Sequence, residues 1–198
     1  ALIHQMNISG TSLSRKIHRK RDRATLGPML REVMGAFFML LCDSNIFSKK
    51  IEQCHLPLIF GESFGSIEAC PPVPIDFDSI KQQFFLKFPE HLNLYQQAFS
   101  KDLMSALMAI YHQENDFSIS SDLWVQIVYR LLRIYIFHAD QQDQVIASIE
   151  PLFFARLIAV INETKEKSDL EVEQYFKNQA ELFFMHRSAV LDRNCSWV

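Results

Sequence analysis

The sequence predicts a mainly α-helical fold, and three observations support that prediction. Apolar residues recur at helical spacing over several long stretches, the first of which contains Met29, Val33, Phe37 and Leu40. The 198 residues include only five glycines, and no regular spacing of glycine and turn residues marks out the many short strands of an all-β fold. Hydrophobic residues make up 48% of the chain and include seventeen phenylalanines. This apolar material is enough for one domain with a core of helix-packed aromatic layers.

The first part of the chain carries one strand signal, one helix and one long loop. Residues 1–10 show a weak strand pattern that closes in a Ser-Gly pair, and this strand has no evident partner. Thr25 can cap a helix in which Pro28 suits an early position, so a helix is expected over 26–43. The prolines and glycines of 44–75 predict an ordered loop over the surface.

The chain from residue 78 to residue 198 is expected to be mostly helical. The predicted order is a helix that ends at Phe88-Pro89, a helix over 91–111, a turn over 115–121, a helix capped by Asp122, a helix interrupted or kinked near Pro151, and a last helix from Ser168. The side chains predicted to lie in the core are Phe37, Leu40, Trp124, Leu131, Phe153 and Leu157.

Cysteine usage and hydropathy bear on the setting of the protein. The four cysteines contain no CxxC pair, so neither a zinc knuckle nor a small disulfide scaffold is indicated, and a reduced, cytoplasmic location is expected. No apolar run reaches the roughly 18 to 20 uncharged residues that a bilayer span needs, so no membrane span is expected. Because the chain begins at Ala1 and not at methionine, we expect a processed protein or a piece of a longer one.

Few short motifs of known chemistry occur. The patterns of phosphate-loop, dinucleotide-binding, zinc-protease and serine-hydrolase sites are all missing from the sequence. Asp76-Phe77-Asp78 has two carboxylates that could share a divalent cation, but aspartate is also favoured as a cap at a helix N-terminus. We interpret the motif as a cap because a predicted helix follows. Six isolated histidines are interpreted as surface or hydrogen-bonded residues: His4, His55, His91, His112, His138 and His186.

The strongest chemical feature is the stretch Arg15–Arg23. Six Lys or Arg residues and one Asp give it a formal charge of +5, and because the whole chain totals −3, the remainder carries −8. Clustered like charges persist where solvent screens them or where an anion relieves their repulsion. A solvated basic loop is therefore one interpretation, and an anion site is the other. Neighbouring cations keep the His18 imidazole neutral and available to a metal, and the planar fork of Arg21 suits phosphate oxygens, so a metal diphosphate would use both.

The segment around this stretch resembles a junction found in one group of glycosyltransferases. The residues that carry the resemblance are Asn7-Ile8-Ser9-Gly10, Lys16-Ile17-His18-Arg19-Lys20-Arg21, Leu26-Gly27-Pro28-Met29 and Arg31-Glu32-Val33-Met34-Gly35-Ala36. They are similar to glucosyl-3-phosphoglycerate, glucosylglycerate and mannosylglycerate synthase-like enzymes, where a last strand of the nucleotide-sugar domain leads through a histidine-bearing basic loop and an LGxM turn into C-terminal helices. The helical tail of the group resembles Asp122-Leu123-Trp124-Val125 with Val128-Tyr129, and Pro151-Leu152 with Arg156.

The resemblance implies the C-terminal part of a retaining glycosyltransferase. Residues 1–25 would be the end of an otherwise absent GT-A α/β domain with its basic active-site loop, and residues 26–198 would be a helical C-terminal domain. The implied metal ligand is His18. The implied substrate-binding residues are Lys16, Lys20, Arg21, Gly27 and Met29. Of these, Lys16 and Arg21 would hold the nucleotide diphosphate. Lys20 stands where some members have an asparagine near the acceptor.

The resemblance also implies the ligands. The partners would be a nucleoside diphosphate sugar and a small glycerate-type acceptor, and the cofactor would be a divalent cation, Mg²⁺ or Mn²⁺, bound only together with the catalytic half. That half, with its own DxD motif, is not in these 198 residues. The chain alone is therefore expected to be inactive, and Ala1–Arg23 to be poorly anchored without its sheet and its ligand.

The same sequence features are also compatible with a second class of function. A helical protein-interaction or oligomerisation module with a basic arm would also account for the many phenylalanines, and light scattering tests whether the chain forms a homo-oligomer. Binding of nucleic acid is not expected, because the remainder of the chain is acidic and no recognition helix is evident. A steep salt dependence of nonspecific binding would contradict that expectation.

Overall fold

The computed structural model describes residues 9–11, 26–43, 58–60, 76–112 and 117–186. Regular structure in this part consists of two short strands, β1 (Ser9–Thr11) and β2 (Leu58–Phe60), and of helices. The α-helices are α1 (Leu26–Asp43), α2 (Phe77–Lys87), α3 (Leu92–Ala98), α4 (Lys101–His112), α5 (Ser121–Phe137), α6 (Gln142–Thr164) and α7 (Asp169–His186). Short 3-10 helices, Phe88–His91 and Ala139–Gln141, lead into α3 and α6. The predicted mainly α fold is confirmed.

The two strands form a parallel pair in which Ser9 lies opposite Leu58 and Thr11 opposite Phe60. The prediction of a strand without a partner is therefore wrong, and so is the prediction of a loop at 58–60. Extended backbone leaves its N–H and C=O groups unsatisfied until a second extended segment pairs with it. A strand of three residues carries too little periodicity to be told from a loop in the sequence.

The central helix of the described residues is α6, which packs against α1, α2 and α5. It buries Val145, Ile149 and Leu152. The helix continues through Pro151, which is itself buried. Of the interruption or kink predicted there, the interruption is therefore wrong. Proline removes one backbone N–H and crowds the preceding turn, and the packing of α6 against its neighbours offsets that cost.

One helix in the described part of the chain, Ala139–Thr164, is long and apolar enough to cross a membrane by length and composition alone. Its apolar window has a mean hydropathy of 1.7, and 61% of that window is buried inside the structure. This segment is α6 with its preceding 3-10 turn. The core helix of a soluble protein can have the same length and composition as a membrane span.

Aromatic rings fill the space between α2, α4 and the first 3-10 helix. Phe84 and Phe88 stack with their ring centroids 4.9 Å apart, and Phe117 meets Phe84 edge to face at 4.7 Å. Tyr111 of α4 stacks on Phe88 at 5.2 Å. Phe84 and Phe88 are fully buried. The prediction of helix-packed aromatic layers is confirmed here.

Helix starts follow local capping, although one predicted cap is wrong. Asp76 caps α2, because its side chain accepts a hydrogen bond from the backbone N–H of Ser79 at 3.1 Å. The interpretation of the aspartate pair as a cap is confirmed. The cap of α5 is Ser120, whose Oγ accepts from the backbone N–H of Leu123 at 3.4 Å. Asp122, the predicted cap, is the second residue of α5, where its negative charge lies at the positive end of the helix dipole.

The helix predicted over 91–111 is divided in two. Phe99 has extended backbone angles, and the Oγ of Ser100 accepts a hydrogen bond from the backbone N–H of Leu103 at 3.3 Å. A serine side chain that bonds the backbone in this way competes with helix continuation and starts a new helix instead. The break between α3 and α4 therefore comes from Ser100.

Three of the predicted core residues lie in or against the core. Leu131 is fully buried, which confirms its prediction. Trp124 and Phe153 are partly buried and pack against the core, with their ring centroids 6.3 Å apart. Leu157 is half-buried. These residues occupy the surfaces at which α5 and α6 meet.

The prediction of core residues in α1 selected the wrong face of the helix. Phe37 is 47% exposed and Leu40 is 36% exposed. The face that packs inward carries Leu30 and Phe38, which are buried, with Met34 against them. Both faces have helical spacing, so the sequence alone does not separate them.

Candidate functional site

The predicted site residues divide between parts of the chain. Lys16, His18, Lys20 and Arg21 lie outside the described residues, as does Ala1–Arg23 apart from β1, so their predicted roles and the predicted poor anchoring stay predictions. In the part that the structure describes, no group of three or more His, Cys, Asp or Glu side chains could hold a metal ion. The two remaining predicted residues, Gly27 and Met29, lie in the first turn of α1.

Gly27 is buried against the carboxyl group of Glu150. A Cβ atom added at Gly27 would lie 1.9 Å from Oε1 of Glu150 and 2.6 Å from its Cδ. Such distances are far below van der Waals contact, so a side chain at residue 27 could be accommodated only if the Glu150 carboxylate moved. Glycine leaves this space to the Glu150 carboxylate. The family resemblance implies Gly27 as a site residue, and nothing in the sequence near Gly27 indicates its partner in α6.

Glu150 is a buried carboxylate held by two cations. Its side chain is 5% exposed, and its Oε1 accepts a hydrogen bond from Nζ of Lys87 at 2.6 Å. Its Oε2 lies 3.4 Å from Nε of Arg31. Lys87 and Arg31 are 29% and 44% exposed, respectively. A charged carboxylate is costly to bury unless it is paired, and both partners are present.

These contacts join three helices at one point. Arg31 belongs to α1, Lys87 ends α2 and Glu150 lies in α6. Gly27 is the second residue of α1, so the carboxylate lies beside the N-terminal end of that helix, where the helix dipole favours negative charge. We call Gly27, Arg31, Lys87 and Glu150 the α1 anchor. Held by two cations, Glu150 is suited to fixing helices in place rather than to transferring protons.

His91 ends the 3-10 helix that follows α2, and Tyr95 lies in the next helix, α3. The hydroxyl of Tyr95 donates to the backbone carbonyl of Ser148 at 2.6 Å, two residues before Glu150 in α6. Burial raises the pKa of Tyr95 well above its ordinary value of 10.0. Burial also lowers the pKa of His91 from its ordinary value of 6.5, an effect opposed by the charges of Glu90 and Glu150.

Met29 lies on a different face of α1 from Gly27. It is 37% exposed and shares its face with Val33 and Phe37, which are 59% and 47% exposed. An exposed apolar stripe of this kind is suited to contact with another molecule or domain. The two predicted residues are thus neighbours in sequence, but only Gly27 belongs to the α1 anchor.

Arg156 forms the second buried polar cluster. Its side chain is 4% exposed, and its guanidinium donates to the carbonyl of Ile119 at 2.8 Å and to the hydroxyl of Ser121 at 2.9 Å. It also pairs with Glu163 one to two turns along α6, with Nη1 to Oε1 at 3.3 Å. These bonds hold the start of α5 against α6.

The same guanidinium attaches α7. Arg156 donates to the hydroxyl of Tyr175 and to Oε1 of Gln179, the latter at 3.2 Å. Tyr175 donates to Glu163 at 2.5 Å, and Gln179 donates to Ser121 at 2.6 Å. Burial and the bond to Glu163 raise the pKa of Tyr175. Because its donors are used within the protein, this cluster is structural. The sequence signal for it is an arginine inside an otherwise apolar helix.

Comparisons with protein-family models, with curated proteins and with solved structures give no match to this chain.

Proposed function

We propose that this chain is the C-terminal part of a retaining glycosyltransferase that moves a sugar from a nucleoside diphosphate sugar to a small glycerate-type acceptor. The resemblance of Lys16–Met29 and of the helical tail to such enzymes supports the proposal. The observation that carries it is the α1 anchor. The turn Leu26–Met29 belongs to the resembling segment, and a side chain at Gly27 would meet the Glu150 carboxylate at 1.9 Å.

A donor-binding loop needs such a rigid base. Groups that hold a leaving diphosphate act only if they are positioned before the reaction, and side chains fixed by packing and ion pairs provide that order. The α1 anchor fixes the start of α1 at Leu26, three residues after the basic stretch Arg15–Arg23 in the sequence. The exposed Met29 is available to a ligand or to the catalytic domain.

The resemblance implies the roles of the loop residues, and their side-chain chemistry is compatible with those roles. Lys16 and Arg21 would neutralise oxygen charge on the donor diphosphate, and Lys20 would lie near the acceptor. The neutral imidazole of His18 would ligate the divalent cation, Mg²⁺ or Mn²⁺. When bound, such a cation stabilises the negative charge that grows on the leaving group. The proposal includes an N-terminal α/β domain that completes the site, a cytoplasmic location and no nucleic-acid partner.

The test is donor turnover in the full-length protein with its upstream coding sequence. A panel of nucleoside diphosphate sugars is offered with glycerate or 3-phosphoglycerate, and release of the nucleoside diphosphate is measured against Mg²⁺ and Mn²⁺ concentration. We expect His18→Ala to lose metal-dependent turnover while its circular dichroism stays parental. Arg21→Lys should be impaired less than Arg21→Ala, because the lysine keeps the charge but lacks the fork.

The matched control is His112→Ala, which removes an exposed histidine at the end of α4. It should leave turnover and metal dependence unchanged. A parental protein that releases no diphosphate from any donor would contradict the proposed function. A His18→Ala variant with the parental rate and metal curve would show that His18 is a solvated residue of a basic loop.

A further inference from the structure

The Glu150 carboxylate is placed where a small shift would be transmitted directly to the start of α1. Its Oε1 accepts a hydrogen bond from Nζ of Lys87 at 2.6 Å and also lies next to the position that a Cβ of Gly27 would occupy. Glutamate is a flexible side chain, and its end could move to admit a methyl group. In doing so Oε1 would leave Lys87, and the buried carboxylate would lose the shorter of its two ion pairs, which is unfavourable.

We infer that Glu150 is a positioning residue for the first turn of α1, and that it acts together with the missing side chain of Gly27. The carboxylate is fixed from the α2 side by Lys87 and from the α1 side by Arg31. Gly27 then rests on the fixed carboxylate, which sets the height of α1 above α6. The functional consequence rests on the proposed function, because the turn Leu26–Met29 follows the proposed donor-binding loop.

The close approach of Gly27 and Glu150 leads to a specific prediction about substitutions at these two residues. In the parent, Gly27→Ala should displace the carboxylate and lower the melting temperature by about 3 to 6 °C. In a Glu150→Ala background the atoms that a Cβ would meet, Oε1, Cδ and Cγ, are all gone. There Gly27→Ala should raise the melting temperature, because alanine is the better helix former and fills the space. The effect of one substitution thus changes sign.

Gly35 gives the matched control within the same helix. A Cβ at Gly35 would meet only Cγ2 of Ile146 at 4.0 Å, an ordinary contact. Gly35→Ala should therefore raise the melting temperature by a similar amount in the parent and in the Glu150→Ala background. If Gly27→Ala is as harmless as Gly35→Ala in the parent, or equally harmful in both backgrounds, the inference is wrong.

The second measurement separates positioning from general stability. In the full-length enzyme, Glu150→Gln keeps the side-chain volume but loses the charge, and we expect it to raise the donor KM about tenfold or more while kcat changes less. Glu32→Gln, the same substitution at an exposed position of α1, should leave KM unchanged. An unchanged KM in Glu150→Gln, measured in an active parent, overturns the positioning role and leaves the proposed function standing. If the parent transfers no sugar at all, the proposed function fails, and the melting-temperature cycle still decides whether Glu150 fixes the turn.

Discussion

At the scale of single residues, His91 carries the clearest dependence on pH. Burial disfavours its charged form and lowers its pKa, while Glu90 and Glu150 raise it and Lys87 lowers it further. Its ring lies 6.1 Å from that of Tyr95. The net effect is a folded-state pKa below the ordinary value of 6.5. The unfolded chain therefore binds a proton at a higher pH than the folded chain does.

This difference predicts that the protein loses stability on mild acidification. The contribution of His91 is fully present above pH 6.5, the ordinary pKa, and is lost as the pH falls through the lower folded-state pKa. We expect His91→Gln to flatten the dependence of the free energy of unfolding on pH below about 6.5. Urea unfolding at a series of pH values measures this. His138→Gln, a change at an exposed histidine, should keep the parental slope, and a parental slope in His91→Gln would contradict the prediction.

At the scale of elements, α1 shows how far the sequence determines the packing. The predicted range 26–43 agrees with the observed bounds of the helix, Leu26–Asp43. The face that packs inward cannot be predicted from local signals, because Val33 and Phe37 have the same spacing as Met34 and Phe38. Which stripe is buried depends on the partners of the helix, and α6 was not known to be one of them.

The two neighbouring phenylalanines of α1 test this assignment. Phe38 is fully buried and meets Tyr135 edge to face at 5.4 Å, whereas Phe37 is 47% exposed. Phe38→Ala should cost about 3 to 5 kcal/mol of unfolding free energy, through lost burial and the cavity left behind. Phe37→Ala should cost about 1 kcal/mol or less, as for an exposed position. Chemical denaturation compares them, and equal costs would mean that both faces of α1 are covered.

In the candidate site, too, contacts between residues close in sequence could be predicted, whereas contacts between distant residues could not. The cap at Asp76 could be predicted because donor and acceptor are three residues apart. The pairing of Lys87 with Glu150 spans 63 residues, and nothing near either residue indicates the other. What the sequence does offer is indirect: a glutamate within the apolar stretch of α6 must find a cation if that helix is buried. Gly27 was predicted only through a family resemblance, and its physical role depends on that distant carboxylate.

At the scale of the whole molecule, the helices are attached to α6 by different means. α1, α2 and α5 bury apolar side chains against it. α7 has no fully buried residue. It is attached to α6 through the hydrogen bonds of Tyr175 and Gln179 to Arg156, and to α5 through Phe183, whose carbonyl accepts a hydrogen bond from the hydroxyl of Tyr129. Elements with little buried apolar surface open at lower free energy than the global unfolding reaction. The last helix should therefore separate before the central ones.

Native-state hydrogen exchange tests this order, with Arg156→Lys as the variant. Lysine keeps the positive charge but lacks the fork that reaches Tyr175, Gln179 and Ser121 together. Since a hydrogen bond to a charged group contributes about 1.5 to 3 kcal/mol, the amides of α7 should exchange at least about tenfold faster in the variant. Central amides of α6 should change less. Lys177→Gln is the control, because it breaks only an exposed pair with Glu173 on the same helix and should leave α7 close to parental. If α7 exchanges as slowly as α6 in the parent and Arg156→Lys accelerates both equally, α7 is part of the cooperative core and the Arg156 cluster does not attach it separately.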